Sequence, residues 1–173
     1  MDTKQINFDQ LQLLVLDVDG VLSDGRLYFT NSGEEIKTFN SQDGLGIKLL
    51  IQQGIEVAII TGRESHIVSA RASTLGIKHL VQGCEEKLEA LDKLASELAL
   101  GYENIAYMGD DLPDLAPILR VGLGMTVADA NPEIKSRAAW CSTRKGGEGA
   151  VREACDFILK QRGNLDDMLN DYL

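Results

Sequence analysis

The chain has 173 residues, 44% of them apolar and 25% charged, and its 17 Lys and Arg against 27 Asp and Glu give a net charge of −10. At that length about 70% of the unfolded chain's surface can be buried, which predicts one domain over 1–173 and excludes a disordered tail or a two-domain machine. The negative balance repels nucleic acid and anionic membrane, no apolar run approaches the ~20 residues that span a bilayer, and the start lacks a basic region followed by an apolar stretch. The expectation is a soluble, cytoplasmic protein with neither nucleic acid nor membrane as partner. A small phosphorylated substrate stays open, because a pocket needs only a few local cations and one metal ion. Cys84, Cys141 and Cys155 are odd in number and without C-x-x-C spacing, and read as unpaired cytosolic thiols.

In chain order, the first apolar run is 11–16, ended by Asp17. It is nearly all apolar, as in a strand covered on both faces. Residues 26–30 and 35–40 flank Asn31-Ser32-Gly33-Glu34 and read as a β-hairpin inserted after that strand (26–40). Leu27, Phe29, Ile36 and Phe39 on it are too few to form a core and need a partner surface. After Asp43-Gly44, residues Leu45, Ile47, Leu49, Leu50 and Ile51 form the apolar side of a helix that Gly54 stops. A strand at 55–60 precedes a helix capped by Ser65, carrying Ile67, Val68, Ala72 and Leu75, and ended by Gly76. A strand at 77–81 leads to a helix with Leu88, Leu91, Ala95 and Leu98 on one side. Then come a strand at 105–108, a weaker run at 121–127, Asn131-Pro132 as N-cap and first turn, and a short run at 140–143. Ala150, Val151, Ala154, Phe157 and Ile158 line the last helix, which Gly163 closes; 164–173 is an acidic tail with apolar teeth. The alternation predicts an α/β fold: a doubly wound, Rossmann-like parallel sheet with helices on both faces and a hairpin insert.

Ligands of such sheets gather at the carboxyl ends of the strands. Those ends carry Asp17-Val18-Asp19-Gly20, Thr61-Gly62-Arg63, Gly83 to Lys87, and Gly109-Asp110-Asp111-Leu112-Pro113-Asp114. Two carboxylates about 4 Å apart repel by roughly 4 kcal/mol at an effective dielectric of 20, so gathering Asp17, Asp19 and Asp110 calls for a cation. Hard oxygen ligands without His or Cys point to Mg²⁺. A D-x-D alone is a common acidic turn, but after an apolar strand it lets one carboxylate bind metal and attack while the other moves a proton. Thr61 and Gly62 offer a hydroxyl and N–H groups to phosphate oxygens, and Lys87 a point charge for both phosphate and nucleophile. The ensemble reads as a phosphoryl-transfer site. Arg63 and Arg71 lie eight apart, within about 80° on a helix of 3.6 residues per turn, and read as substrate contacts. His66 and His79 read as a helix-surface and a strand-end residue, and Trp140 as core.

Asp17-Val-Asp-Gly-Val-Leu-Ser-Asp-Gly, Thr61-Gly-Arg, Lys87, Gly109-Asp-Asp-Leu-x-Asp, Val127-Ala-Asp-Ala and Gly146-Gly-x-Gly-Ala-Val-Arg-Glu, in that order, resemble the haloacid dehalogenase superfamily of phosphatases. Within it they are similar to the capless 3-deoxy-D-manno-octulosonate 8-phosphate phosphatases of lipopolysaccharide synthesis. The resemblance implies that Asp17 forms an aspartyl-phosphate and that Asp19 is acid and then base. It implies Mg²⁺ on Asp17, the backbone carbonyl of Asp19, and Asp110, with Asp111 and Asp114 in support. It implies a substrate site drawn from the stretch 39–48, including Asn40, Asp43, Gly44 and Lys48, with Thr61, Gly62, Arg63, Arg71 and Lys87. The family pattern has Arg where this chain has Gln42, and often a basic residue in place of Glu148, departures that bear on the substrate. It also implies a homotetramer with hairpins meeting around its axis and each tail reaching a neighbour's site. Two alternatives stand beside it: a phosphatase for a nine-carbon keto-deoxy sugar acid, and a phospho-receiver module. The receiver also joins acidic residues, Thr and Lys, but is expected to carry its aspartate after a central strand and to lack a hairpin.

Overall fold

The computed structural model describes residues 6–163; the tail expected to reach a neighbour lies outside them. The elements are β1 (Leu13–Leu16), β2 (Tyr28–Phe29), β3 (Glu35–Ile36), α1 (Ser41–Gln52), β4 (Glu56–Ile60), α2 (His66–Leu75), β5 (His79–Val81), α3 (Lys87–Glu97), β6 (Ile105–Met108), α4 (Leu115–Arg120), β7 (Leu123–Thr126), α5 (Pro132–Lys135), β8 (Trp140–Cys141) and α6 (Ala150–Gln161). Six strands form one sheet in the order β5-β4-β1-β6-β7-β8, every neighbouring pair parallel.

Residues of β1 alternate between two cores, as the pleat requires. Leu14 and Leu16 join the cluster that holds Ile47 and Leu50 of α1, Val68 and Ala72 of α2, and Ala154 and Ile158 of α6. Leu13 and Val15 join Leu91 and Leu94 of α3, Ile118 of α4 and Ile134 of α5. The fully apolar β1 is thus the consequence of helices on both faces. Helices α1 and α6 cross closely at Gly46, where a side chain would meet the Arg152 Cα and the Cys155 Cβ at 3.2 Å.

Local signals set the helix starts. Asn40 caps α1 by accepting the Gln42 N–H at 2.8 Å, so the helix begins before Asp43-Gly44 and Gly44 lies inside it. The first strand begins at Leu13 because Phe8–Gln10 forms a 3₁₀ turn that ends at Leu11.

The hairpin is an antiparallel ribbon of two residues per strand, pairing Tyr28 with Ile36 and Phe29 with Glu35, shorter than the runs 26–30 and 35–40 suggest. Among the described residues it stands as a separate two-stranded sheet, with no third strand to lengthen its ladder. Leu27, Phe29 and Ile36 are more than half exposed. Phe39 behaves differently: it packs on the core beneath α1 and α2, with the Arg71 guanidinium 5.7 Å from its ring centre. Trp140 is half-buried and stacks on Phe157 at 5.2 Å. Among the described residues there is no cap domain over the strand ends, and no helix is long and apolar enough to cross a membrane.

Candidate active site

From β1 the chain builds outward to β4 and β5, then crosses to β6, β7 and β8 on the other side, so the winding reverses between β1 and β6. A crevice opens at the carboxyl ends at such a switch. Asp17 follows β1, Thr61 follows β4, Lys87 opens α3 and Asp110 lies two residues beyond β6. They line one open cleft of about 770 Å³ together with Asp19, Gly62, Arg63, Asp111 and Asp114.

One oxygen from each of Asp17, Asp110 and Asp114 lies within 4.8 Å of the others. Their surroundings separate their roles. Asp114 is buried, its Oδ1 accepts from Lys87 Nζ at 2.7 Å and from the Tyr107 hydroxyl at 2.8 Å, and its Oδ2 accepts the Asp110 and Asp111 N–H groups at 3.2 and 3.4 Å. Both its oxygens are committed to donors, which makes it a support. Lys87 Nζ is also 2.9 Å from Asp17 Oδ1. Burial, and then the charge of Asp114, push Asp17 up to about 7 against the pull of Lys87. Burial, and then Asp17 and Asp114, push Asp110 up to about 8. One ammonium thus faces three carboxylates, and a divalent cation between Asp17 and Asp110 fits both the charge deficit and the all-oxygen donor set. The Asp19 side chain is turned to Lys37 and Ser23 through Oδ1.

The nucleophile loop is held by backbone. The Asp17 N–H donates to Met108 O at 3.0 Å and the Ser23 N–H closes a wide turn onto Val18 O at 3.0 Å. The Gly147 N–H donates to Val21 O at 3.0 Å, while a side chain on Gly146 would sit 1.8 Å from Gly20 O. The Gly146-Gly147 pair therefore acts as a clamp that lets one backbone lie directly against the D-x-D turn. Asp129 fixes that clamp by accepting the Gly146 N–H at 3.0 Å.

A family model for haloacid dehalogenase-like hydrolases matches residues 81–154. The 3-deoxy-D-manno-octulosonate 8-phosphate phosphatase KdsC of Escherichia coli K12 is 51% identical over 159 residues, 92% of this chain and 85% of that protein. The chain belongs to the 3-deoxy-D-manno-octulosonate 8-phosphate phosphatase family. Its fold superposes with a TM-score of 0.94 on the Moraxella catarrhalis enzyme of that name, crystallised with magnesium ion, phosphate ion and KDO, at 42% identity over 96% of this chain and 95% of that one. The Yersinia pestis enzyme superposes with a TM-score of 0.90 at 48% identity, over 92% of this chain and 86% of that one. Membership of this phosphatase family removes the receiver alternative on grounds the chain order could not supply. The strand before Asp17 is first in sequence but central in space.

The residues that the family resemblance singles out form two clusters, with Asn40 and Asp43 in neither. Asp17, Asp19, Thr61, Gly62, Arg63, Lys87, Asp110, Asp111 and Asp114 share the cleft. Gly44, Lys48 and Arg71 line a separate depression with Ser41, Leu45 and Leu75. Arg63 and Arg71 therefore part company, because Arg63 lies before α2 begins while Arg71 donates to Asn40 O at 3.2 Å. Asn40 is engaged as the α1 cap and donates to Gly147 O at 3.3 Å. Asp43 is buried and accepts the Arg152 N–H at 2.8 Å in the first turn of α6. His66 and His79 lie outside the cleft, His79 paired with Glu56 at 2.6 Å. Three neighbours of the site escape a reading of motifs: Tyr107 beneath Asp114, and Glu35 and Lys37 from the hairpin; Ser23, beside Asp19, stands inside the D-x-D motif with no role read for it. Only Lys37 and Glu35 carried a signal, as charges alternating with apolar residues on the insert.

Proposed function

We propose that this chain is a cytoplasmic, Mg²⁺-dependent phosphatase that hydrolyses 3-deoxy-D-manno-octulosonate 8-phosphate to 3-deoxy-D-manno-octulosonate and phosphate in lipopolysaccharide biosynthesis. The observation that carries it is Asp17, buried at the mouth of the central strand, ion-paired to Lys87 and sharing a cation-sized space with Asp110.

In this reading an Asp17 oxygen forms a bond to phosphorus as the bond from phosphorus to the sugar oxygen breaks, and Asp19 gives that oxygen a proton. Asp19 then takes a proton from the water that hydrolyses the aspartyl-phosphate. Mg²⁺ held by Asp17, Asp110 and the Asp19 carbonyl supplies positive charge that offsets repulsion between phosphate and carboxylates. Lys87 aims Asp17 and favours its ionised form, Thr61 and Gly62 receive phosphate oxygens, and Arg63 stands at the rim for the sugar acid. Asp111 and Asp114 brace the loop, the latter through two backbone N–H groups.

The same reading includes a homotetramer built on the hairpins. A two-stranded ribbon is marginal alone in water, and Leu27, Phe29 and Ile36 present an apolar face. Substrate roles for Gly44, Lys48 and Arg71 then belong to a basic depression offered to a neighbouring chain, while Asn40 and Asp43 act by capping helices.

A phosphate-release screen with Mg²⁺ tests the substrate. The eight-carbon sugar acid phosphate should be hydrolysed fastest, and preference for a nine-carbon 9-phosphate would move the assignment to the alternative. Asp17→Asn should lose several orders of magnitude in turnover while staying folded; substantial activity in that variant would end the covalent route. Light scattering should give a tetramer that Phe29→Asp dissociates, and a fully active wild-type monomer would refute the assembly.

A further inference from the structure

We infer that Lys37, carried by the hairpin insert, is the positioning residue for the proton-transferring carboxylate Asp19; the inference rests on the phosphatase reading above. The side chain of Lys37 is only 3% exposed, although it follows directly on a ribbon whose apolar residues stand in solvent. A lysine is almost never buried without a partner. Its ammonium pairs with Asp19 Oδ1 and lies 3.7 Å from Glu35 Oε1.

The geometry at Asp19 is one-sided. Lys37 Nζ donates to Oδ1, and the Ser23 hydroxyl lies 3.4 Å from the same oxygen while sharing its one proton with Val18 O at 3.3 Å. Oδ2 has the longer ion pair with Arg63 Nε, at 3.8 Å. Lys37 thus pins one oxygen, while Oδ2 keeps only its longer pair with Arg63, a residue that lines the cleft together with Asp19. Oδ1 can accept from Lys37 whether or not Oδ2 carries the proton bound for the leaving oxygen, so the anchor holds through the step.

Glu35 ties the same ribbon to the next loop. Its Oε1 accepts from Arg63 Nη2 at 2.9 Å and its Oε2 from the Ser65 hydroxyl at 3.0 Å. The hairpin is therefore fastened to the D-x-D turn through Lys37 and to the loop after β4 through Glu35. Stability alone does not explain the choice, because burying an ammonium costs more than burying an apolar side chain of similar size. What the ammonium supplies is direction for a short carboxylate in an open cleft, where a displacement of about 1 Å can cost on the order of 10²-fold in rate.

The test uses the leaving group. A sugar alkoxide needs a proton as its bond to phosphorus breaks, whereas p-nitrophenolate departs without one. Rapid-quench single turnovers of the Mg²⁺-loaded enzyme would compare 3-deoxy-D-manno-octulosonate 8-phosphate with p-nitrophenyl phosphate. Lys37→Met should slow the sugar phosphate by about 10- to 100-fold at nearly unchanged KM, and p-nitrophenyl phosphate by no more than about threefold. Lys37→Arg should recover most of the loss. Equal losses on both substrates, a change confined to KM, or no loss would overturn the inference. Should Lys37→Met fail to fold, Lys37→Gln, an uncharged donor of shorter reach, must give the same split, or the inference fails. A wild-type enzyme inactive on both substrates, or an active Asp17→Asn variant, would instead sink the phosphatase reading itself.

Discussion

Lys87 and Lys37 are both buried and each holds one aspartate of the same D-x-D pair, yet their partners stand in different media. Lys87 opens a helix of the main fold, and its partners Asp17 and Asp114 are, like it, less than a tenth exposed, with the buried Tyr107 hydroxyl behind them. Lys37 comes from a two-stranded insert, and it joins a network in which Asp19 is 21% and Arg63 42% exposed. In the first network every charge is buried, so none can be lost without leaving another unpaired. In the second, Lys37 is as buried as Lys87, but its acceptors Asp19 and Glu35 reach solvent, so water can take over for them when the ammonium is lost. The contrast separates a charge cluster on which the fold depends from one that aims a side chain.

The largest effect should follow from cutting the buried network. Lys87→Met should abolish turnover and cost about 3–5 kcal/mol in urea unfolding, since Asp17 and Asp114 then face each other without a counter-ion. An unchanged midpoint would erase the distinction between the two networks.

The cation should govern the same cluster in a pH-dependent way. Asp17 and Asp110, raised from 3.8 to about 7 and about 8, hold protons in the folded chain that the unfolded chain has already released. Stability of the EDTA-treated protein should therefore fall as pH climbs from about 4 to 8. Mg²⁺ should restore it, raising Tm more at pH 8 than at pH 6 in scanning calorimetry. An equal gain at both pH values would show that the ion does not compete with those protons.

The smallest effect belongs to the rim. Glu35→Gln weakens a pair with a solvent-exposed arginine and should change stability by less than about 1 kcal/mol. Freed from it, Arg63 should raise KM for the sugar phosphate by about two- to fivefold at nearly constant kcat. A kcat loss matching that of Lys37→Met would mean that the ribbon acts as one rigid unit.

Much of this cleft can be read along the chain because strand-end chemistry is local: Asp17, Thr61, Lys87 and Asp110 each follow an apolar run or open a helix within a few residues of one. The depression holding Lys48 and Arg71 is not readable in that way, since spacing on α2 says nothing about where α2 lies relative to the cleft. Asn40 and Asp43 stand in a motif read for the substrate, and only the fold shows that each also holds a helix start, one locally and one reaching Arg152 across 109 positions.

Amphipathic periodicity, turn residues and the acidic strand ends were enough to specify a doubly wound parallel sheet and the chemistry at its carboxyl edge, because burial and backbone geometry act on neighbouring residues. The fold had to decide that the first strand lies in the middle of the sheet, that Phe39 leaves the hairpin for the core, and that Asp114 spends both oxygens on support. It also had to bring a lysine of the insert onto Asp19. Those outcomes depend on contacts between distant segments, whose closure is set by packing and by the cost of burying each charge rather than by any pattern within one segment.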